Sequence, residues 1–105
     1  MAYKTLGQVA PSATTPTTLY TVPSAKSTVC STLTVCNRST AGTYRIAVRP
    51  AGASLANEHY VIYDSAIAAT TTDLLTIGIT LATTDVVEVY ASSASFSFSL
   101  FGNEA

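Results

Sequence analysis

The 105-residue chain has no tryptophan, one histidine, two cysteines and only 10% charged residues, and each shortage excludes something. Five Lys/Arg stand against six Asp/Glu, net −1, with no block of either sign. The clustered cations that displace counterions from phosphates are absent, which argues against a nucleic-acid partner. No apolar run approaches the ~20 residues that span a bilayer, so no membrane partner is expected. Met1-Ala2-Tyr3-Lys4-Thr5 lacks a charged segment followed by an apolar one, and the chain is expected to stay in the cytosol where it is made.

The scarcity of reactive groups points the same way. His59 is the only imidazole, and no Gly-x-Ser-x-Gly elbow presents a nucleophile. Cys30 and Cys36 fall in one run that reads as a strand, about 20 Å apart at ~3.3 Å per residue, too far for a disulfide. An even spacing puts both on one strand face, and both are expected to be reduced and buried. Asp64, Asp73 and Asp85 lack the density of a calcium loop and read as turn residues. Glu58 with Asp64 is a weak glycosidase pair. His59 reads as an outer or tip residue hydrogen-bonding locally. The expectation is a protein that is not an enzyme, with no catalytic residue, no metal and no cofactor.

What the chain does have is Ser and Thr at 30 positions, 48% apolar residues, and strict alternation in short runs. Tyr44-Arg45-Ile46-Ala47-Val48-Arg49 puts Tyr44, Ile46 and Val48 inward, and Ser95-Phe96-Ser97-Phe98-Ser99-Leu100 does the same for Phe96, Phe98 and Leu100. Strands are expected at Lys4–Val9, Leu19–Val22, Thr28–Cys36 (with Val29, Leu33 and Val35 on one face), Thr43–Arg49 and His59–Asp64. Ser65–Thr72 reads as an irregular crossover. Leu74–Leu81 then points Leu75, Ile77, Ile79 and Leu81 to one side, with Gly78 as a bulge, and Val86–Ala91 and Ser95–Phe101 complete the set. Evenly spaced short strands with turn residues between them predict an all-β protein: one antiparallel β-sandwich, jelly-roll-like, of about eight strands and no significant helix. Residues 1–105 form a single domain, with 1–16 as a candidate N-terminal arm and linker around Pro11 and Pro16.

Low charge with a mean hydropathy of +0.35 predicts that part of the surface is covered in the working state. Tyr and Arg are over-represented in interfaces, so the candidate interface residues are Tyr3 and Lys4 of the arm, Arg38 in a loop, outward Arg45 and Arg49, and Tyr90 beside Glu88. Tyr60 and Tyr63 are further aromatics that join Arg45 and Arg49 if that face binds a base or a sugar, although no tryptophan platform is present.

Several segments together resemble small virion structural proteins of tailed bacteriophages, of cyanophage type. They are Leu6-Gly7-Gln8, Thr17-Thr18-Leu19-Tyr20-Thr21-Val22-Pro23, Val35-Cys36-Asn37-Arg38, Arg45-Ile46-Ala47-Val48-Arg49-Pro50-Ala51-Gly52, His59-Tyr60-Val61, Ile79-Thr80-Leu81-Ala82-Thr83-Thr84-Asp85-Val86-Val87 and Ser99-Leu100-Phe101-Gly102. The resemblance spans nearly the whole chain and carries no catalytic residue. It implies a virion protein assembled in the bacterial host cytoplasm, first of all a capsid decoration or cement protein. Its partners would be other copies of itself, a homotrimer favoured over a dimer, and virion proteins such as the major capsid protein. The alternatives are a tail, collar or baseplate component, or a carbohydrate- or receptor-binding fibre module. The segment Lys4–Val9 either adds a strand to a neighbour's sheet or pairs within its own domain.

Overall fold

Side chains alternate across a strand, so the alternating runs need two sheets that share one apolar interior. A computed structural model, which describes residues 2–76 and 78–105, contains nine strands and, among the described residues, no helix longer than a 3₁₀ turn. One sheet holds β1 (Ala2–Val9), β9 (Phe96–Glu104), β3 (Thr28–Asn37) and β6 (Thr72–Leu75) in that order, and the short β7 (Ile79–Leu81) also pairs with β3. The other holds β2 (Thr17–Thr21), β8 (Val86–Ala91), β4 (Gly42–Arg49) and β5 (Tyr60–Ile67). The pairing is nested: β1 with β9, β2 with β8, β3 with β6 and β7, β4 with β5. The chain thus behaves as one long hairpin bent at residues 50–59 and rolled until β3 meets β9 and β4 meets β8. That is the jelly roll.

Several strand boundaries differ from the sequence reading, two of them with a visible structural cause. The run expected as one strand over Leu74–Leu81 is two strands, broken where Gly78 has φ +52. Leu75, Ile79 and Leu81 pack toward the interior as expected, and Ile77 lies outside the described residues. β5 continues through Ile67 instead of stopping at Asp64, because Gly42 and Thr43 of β4 supply partners for Ile67 and Ala66. Ala2–Val9 pairs with β9 of its own domain, and 10–16 is the connection to β2.

The interior is centred on Tyr44, Phe96 and Phe98, each at most 1% exposed. The Tyr44 ring meets Phe98 edge-on at 6.2 Å and Phe96 tilted at 6.5 Å, arrangements favoured by the ring quadrupoles. Leu33, Val35, Ile46, Val87, Val89 and Leu100 fill the rest, each burial stabilising by about 1.5–3 kcal/mol. The Tyr44 hydroxyl donates to Asp73 Oδ2 at 2.9 Å and ties one sheet to the other. Burial, helped by Asp73, pushes the Tyr44 phenol up. Asp73 is therefore an inter-sheet acceptor, not the turn residue its sequence context suggested. At Gly102 any side chain would run into the Val29 carbonyl and Cys30 Cα, so β9 and β3 approach closely only because that position is glycine.

A bulge between Cys30 and Thr32, opposite β9, changes which residues of β3 face inward. Thr28 and Cys30 point in before it, Leu33 and Val35 after it, while Val29 is 50% exposed and Cys36 only half-buried. The expected shared face of Cys30 and Cys36, and of Val29 with Leu33, is thus corrected: one extra residue flips the parity of everything beyond it. Both thiols are free, and burial pushes Cys30 up to about 11. A neutral-pH thiol reagent should therefore modify Cys36 in the native protein and both cysteines only in denaturant. Native labelling of both, read by intact mass, would contradict this arrangement.

A polar knot closes the end where the chain starts and finishes. The Tyr20 hydroxyl donates to Glu104 Oε2 at 2.5 Å and shares a 2.8 Å hydrogen bond with Thr28 Oγ1, while Lys4 Nζ donates to Glu104 Oε1 at 2.9 Å. The Glu104 carboxylate joins β9 to β1 and β2, and the Tyr20 hydroxyl extends the link to β3. The Tyr20 hydrogen bond first, and Lys4 second, hold Glu104 below the usual carboxylate range. Burial first, and Glu104 second, push Tyr20 up to about 12. A depressed carboxylate contributes stability above its unfolded pKa and loses it as pH falls through the folded value; a raised phenol contributes below about 10 and loses it as pH climbs toward 12. Denaturation midpoints should fall on both flanks, with Glu104→Gln flattening the acid flank and Tyr20→Phe the alkaline one. Unchanged flanks in both variants would show that the knot does not couple protons to folding.

Candidate functional site

The outer face of the β2-β8-β4-β5 sheet gathers two ion pairs and three of the six tyrosines. On β4 alternation sends Arg45, Ala47 and Arg49 outward, and register on β8 places Tyr90 opposite Arg45, Glu88 opposite Ala47 and Val86 opposite Arg49. On the β5 side the pairing skips from Tyr44↔Ser65 to Ile46↔Ile62 and then to Ala47↔Tyr60. Two residues, Tyr63 and Asp64, therefore stand where one would oppose Arg45, and Asp64 takes φ +49. A bulge of this kind re-aims side chains. Here it delivers both a ring and a carboxylate to the same arginine.

The result is a ladder of Tyr60, Tyr63, Arg45 and Tyr90. Arg45 is held by Asp64 in a two-point contact, Nε to Oδ1 at 2.6 Å and Nη2 to Oδ2 at 3.2 Å, a geometry that lysine could not supply. Its Cζ lies 4.2 Å from the Tyr63 ring centroid and 4.3 Å from that of Tyr90, within the range of a cation–π contact. Tyr60 meets Tyr63 edge-on at 4.9 Å. The Arg45 hydrogen bond holds Asp64 below the ordinary carboxylate range and in return raises Arg45. Asp64 is an ion-pair partner inside a strand, not a turn residue.

The second pair is Arg49 with Glu88, Nε to Oε1 at 3.2 Å. The distance is that of an ion pair, but the N–H is not aimed at the oxygen, and this buried Nε has no hydrogen-bond partner. Arg49 Nη1 instead donates to the carbonyls of Gly52 and Ala53 at 3.2 and 2.8 Å, fixing the bend after β4. Asp85 holds the same bend, accepting from the Ala51 and Ala82 amides, which is the turn role its sequence suggested. Beyond it, His59 Nδ1 accepts from the Ala56 amide at 3.0 Å within the 3₁₀ turn Asn57–His59.

Folding 53–59 back over the sheet creates a shallow, solvent-open depression with enclosed room for about one water. Its floor is Ala47, only 2% exposed although it points outward. Pro16, Leu55, Tyr60, Glu88 and Tyr90 rise around it, and Arg45 lies at one side. A small residue between large ones makes the depression. Among the described residues no group of three or more His, Cys, Asp or Glu could hold a metal ion.

Of the six expected interface residues, Arg45, Arg49 and Tyr90 come together here. Tyr3 and Lys4 lie on β1 of the other sheet, Tyr3 78% exposed and Lys4 tied to Glu104. Arg38 lies in the loop after β3 and donates from Nη2 to the Ala94 carbonyl at 3.0 Å. They do not form one surface. The sequence reading missed Asp64, Ala47, Leu55 and Pro16 as site residues; the adjacent Tyr63-Asp64 pair was the one local signal.

The outer face of the β1-β9-β3-β6/β7 sheet has the opposite character. Its outward positions are Tyr3, Thr5 and Gln8 on β1, Ser97, Ser99, Phe101 and Asn103 on β9, Val29, Thr32, Thr34 and Cys36 on β3, Thr72 and Leu74 on β6 and Thr80 on β7. Among the described residues none of these is charged. Tyr3, Val29 and Leu74 are 78%, 50% and 71% exposed there.

Glu88→Ala would leave the Arg49 guanidinium without its counter-charge. It should destabilise by about 1–3 kcal/mol in chemical denaturation, and adding Arg49→Ala should recover part of that loss. Strict additivity in the double-mutant cycle would show that the two side chains do not interact.

No family model matches the chain, and neither a curated protein nor a solved structure is found to be similar to it.

Proposed function

We propose that this protein is a non-enzymatic structural component of a tailed-phage virion, in first place a capsid decoration protein that stabilises the head. The observation that carries the reading is the uncharged outer face of the five-stranded sheet. A face of Ser, Thr, Val, Leu, Phe and Tyr without a formal charge is a poor permanent water boundary. It is well suited to lying against another protein surface, since no charge has to be desolvated when it is covered. The sequence resemblance supplies the setting. Virions assemble in a reducing cytosol, which suits two free thiols. Repeated copies on a symmetric shell gain avidity without a deep pocket or strong charge at any one contact.

In this reading the uncharged face meets the shell or neighbouring copies, with a homotrimer as the arrangement and the major capsid protein as the partner. Copy number separates head from tail. Quantitative mass spectrometry of purified particles should find on the order of hundreds of copies per virion, as a repeated shell site requires. A handful of copies would move the protein to the tail, collar or baseplate, and its absence from washed particles would overturn the virion reading altogether.

A further inference from the structure

We propose that β1 is exchanged between copies of this chain, so that Ala2–Val9 of one molecule completes the five-stranded sheet of another. β1 stands at the edge of its sheet and has its ladder with β9. Lys4 adds the ion pair to Glu104 at 2.9 Å, and Gln8 Nε2 donates to Ser99 Oγ at 3.2 Å. Leu6 and Val9 pack against the core. A second copy presents the same β9, the same Glu104 and the same core. Each of these contacts is therefore available between molecules as well as within one, which is the thermodynamic basis of strand exchange.

The connection 10–16 supplies the hinge. Pro11 at one end is buried and belongs with β1. Pro16 at the other sits with Leu55, Tyr60 and Tyr90 beside the depression and belongs with β2. Ser12, Ala13, Thr14 and Thr15 between them are exposed. The Thr14 and Thr15 hydroxyls donate to the Ala13 carbonyl, inside the hinge itself. Among the described residues, the backbone hydrogen bond that ties the hinge to the body runs from the Thr14 N–H to the Ala91 carbonyl at 2.8 Å. Opening the hinge gives up that bond and uncovers little else.

The closed hinge is also strained. Each proline fixes its own φ and keeps the residue before it extended, so Ala10 and Thr15 cannot make the turn. The chain reverses at Thr14, with φ +53. A left-handed backbone is costly for a β-branched residue, and an extended hinge escapes it. From Pro11 to Pro16 an extended chain spans about 17 Å, more than the roughly 10 Å between packed sheets. Strained short hinges of this kind favour exchange. Two molecules that trade β1 close a dimer, and three that pass it round close a trimer, with the same contacts in either.

The exchange does not depend on the virion reading, and copy number on particles decides that reading separately. The test uses two full-length variants that both carry Cys36→Ser. One adds Gln8→Cys and the other Ser99→Cys, positions that face each other across β1 and β9. The two are unfolded together, refolded together at about 200 µM, where association is favoured by mass action, and oxidised. On the order of half of the chains should then run at twice the chain mass on a non-reducing gel, the statistical share of mixed pairs. Light scattering of the unaltered protein should give a dimer or a trimer. A chain carrying both new cysteines checks that this disulfide can close; if it does not, Thr5→Cys and Phe101→Cys, also in register, replace the pair. Thr14→Gly relieves the left-handed turn and should lower the oligomer fraction about 3-fold or more. A protein that stays monomeric, an oligomer without the mixed disulfide, or an oligomer fraction unmoved by Thr14→Gly would overturn the exchange.

Discussion

The gap between the two sheets is the constraint on which the rest depends. Packed sheets stand about 10 Å apart, a space that one layer of side chains from each must fill at near-crystalline density. Tyr44, Phe96 and Phe98 occupy its middle. The gap can tolerate polar groups only if they are paired. Tyr44 with Asp73, and Tyr20 with Thr28 and Glu104, are the means by which hydroxyls and carboxylates remain in or beside it. Both contacts also join strands that share no ladder, so they brace the roll as well as satisfy it.

Bulges do the work that loops do in many proteins. An ideal ladder beside Arg45 would oppose it with one residue of β5. The extra residue there brings Tyr63 and Asp64 to the same guanidinium, and the next skip in register places Tyr60 opposite Ala47, beside the cleft. The price is a left-handed backbone at Asp64, a conformation that aspartate tolerates better than most residues. The bulge in β3 has no comparable site beside it. It turns Val29 and Cys36 outward and so shapes the uncharged face.

The same bulges mark how far the sequence could be read. Period-two alternation in Tyr44–Arg49 and Phe96–Leu100 was enough to identify the class of fold, the inward residues of those strands and the outward direction of Arg45 and Arg49. Parity fails after one inserted residue, which is why Cys30 and Cys36 were expected on one face and are not. Strand order was illegible because nested pairing depends on contacts between the ends of the chain, and local patterns do not encode them. For the site, Arg45 and Tyr90 were legible as outward residues of regular strands. Asp64 looked like a turn residue because its role arises from register, and Ala47 could not be singled out because a cleft floor is defined by what stands around it.

The two outer faces divide the remaining surface unequally, and the division has a physical logic. A charge on a face destined to be covered must either be paired across the new contact or pay for desolvation. Keeping such a face free of charge removes both requirements, but leaves Tyr3, Val29 and Leu74 exposed to water in the single chain. On the opposite face Arg45–Asp64 and Arg49–Glu88 are paired within the protein, so they neither require a partner's charge nor attract unrelated polyions. A molecule with one face suited to docking and the other to water has a direction built into it.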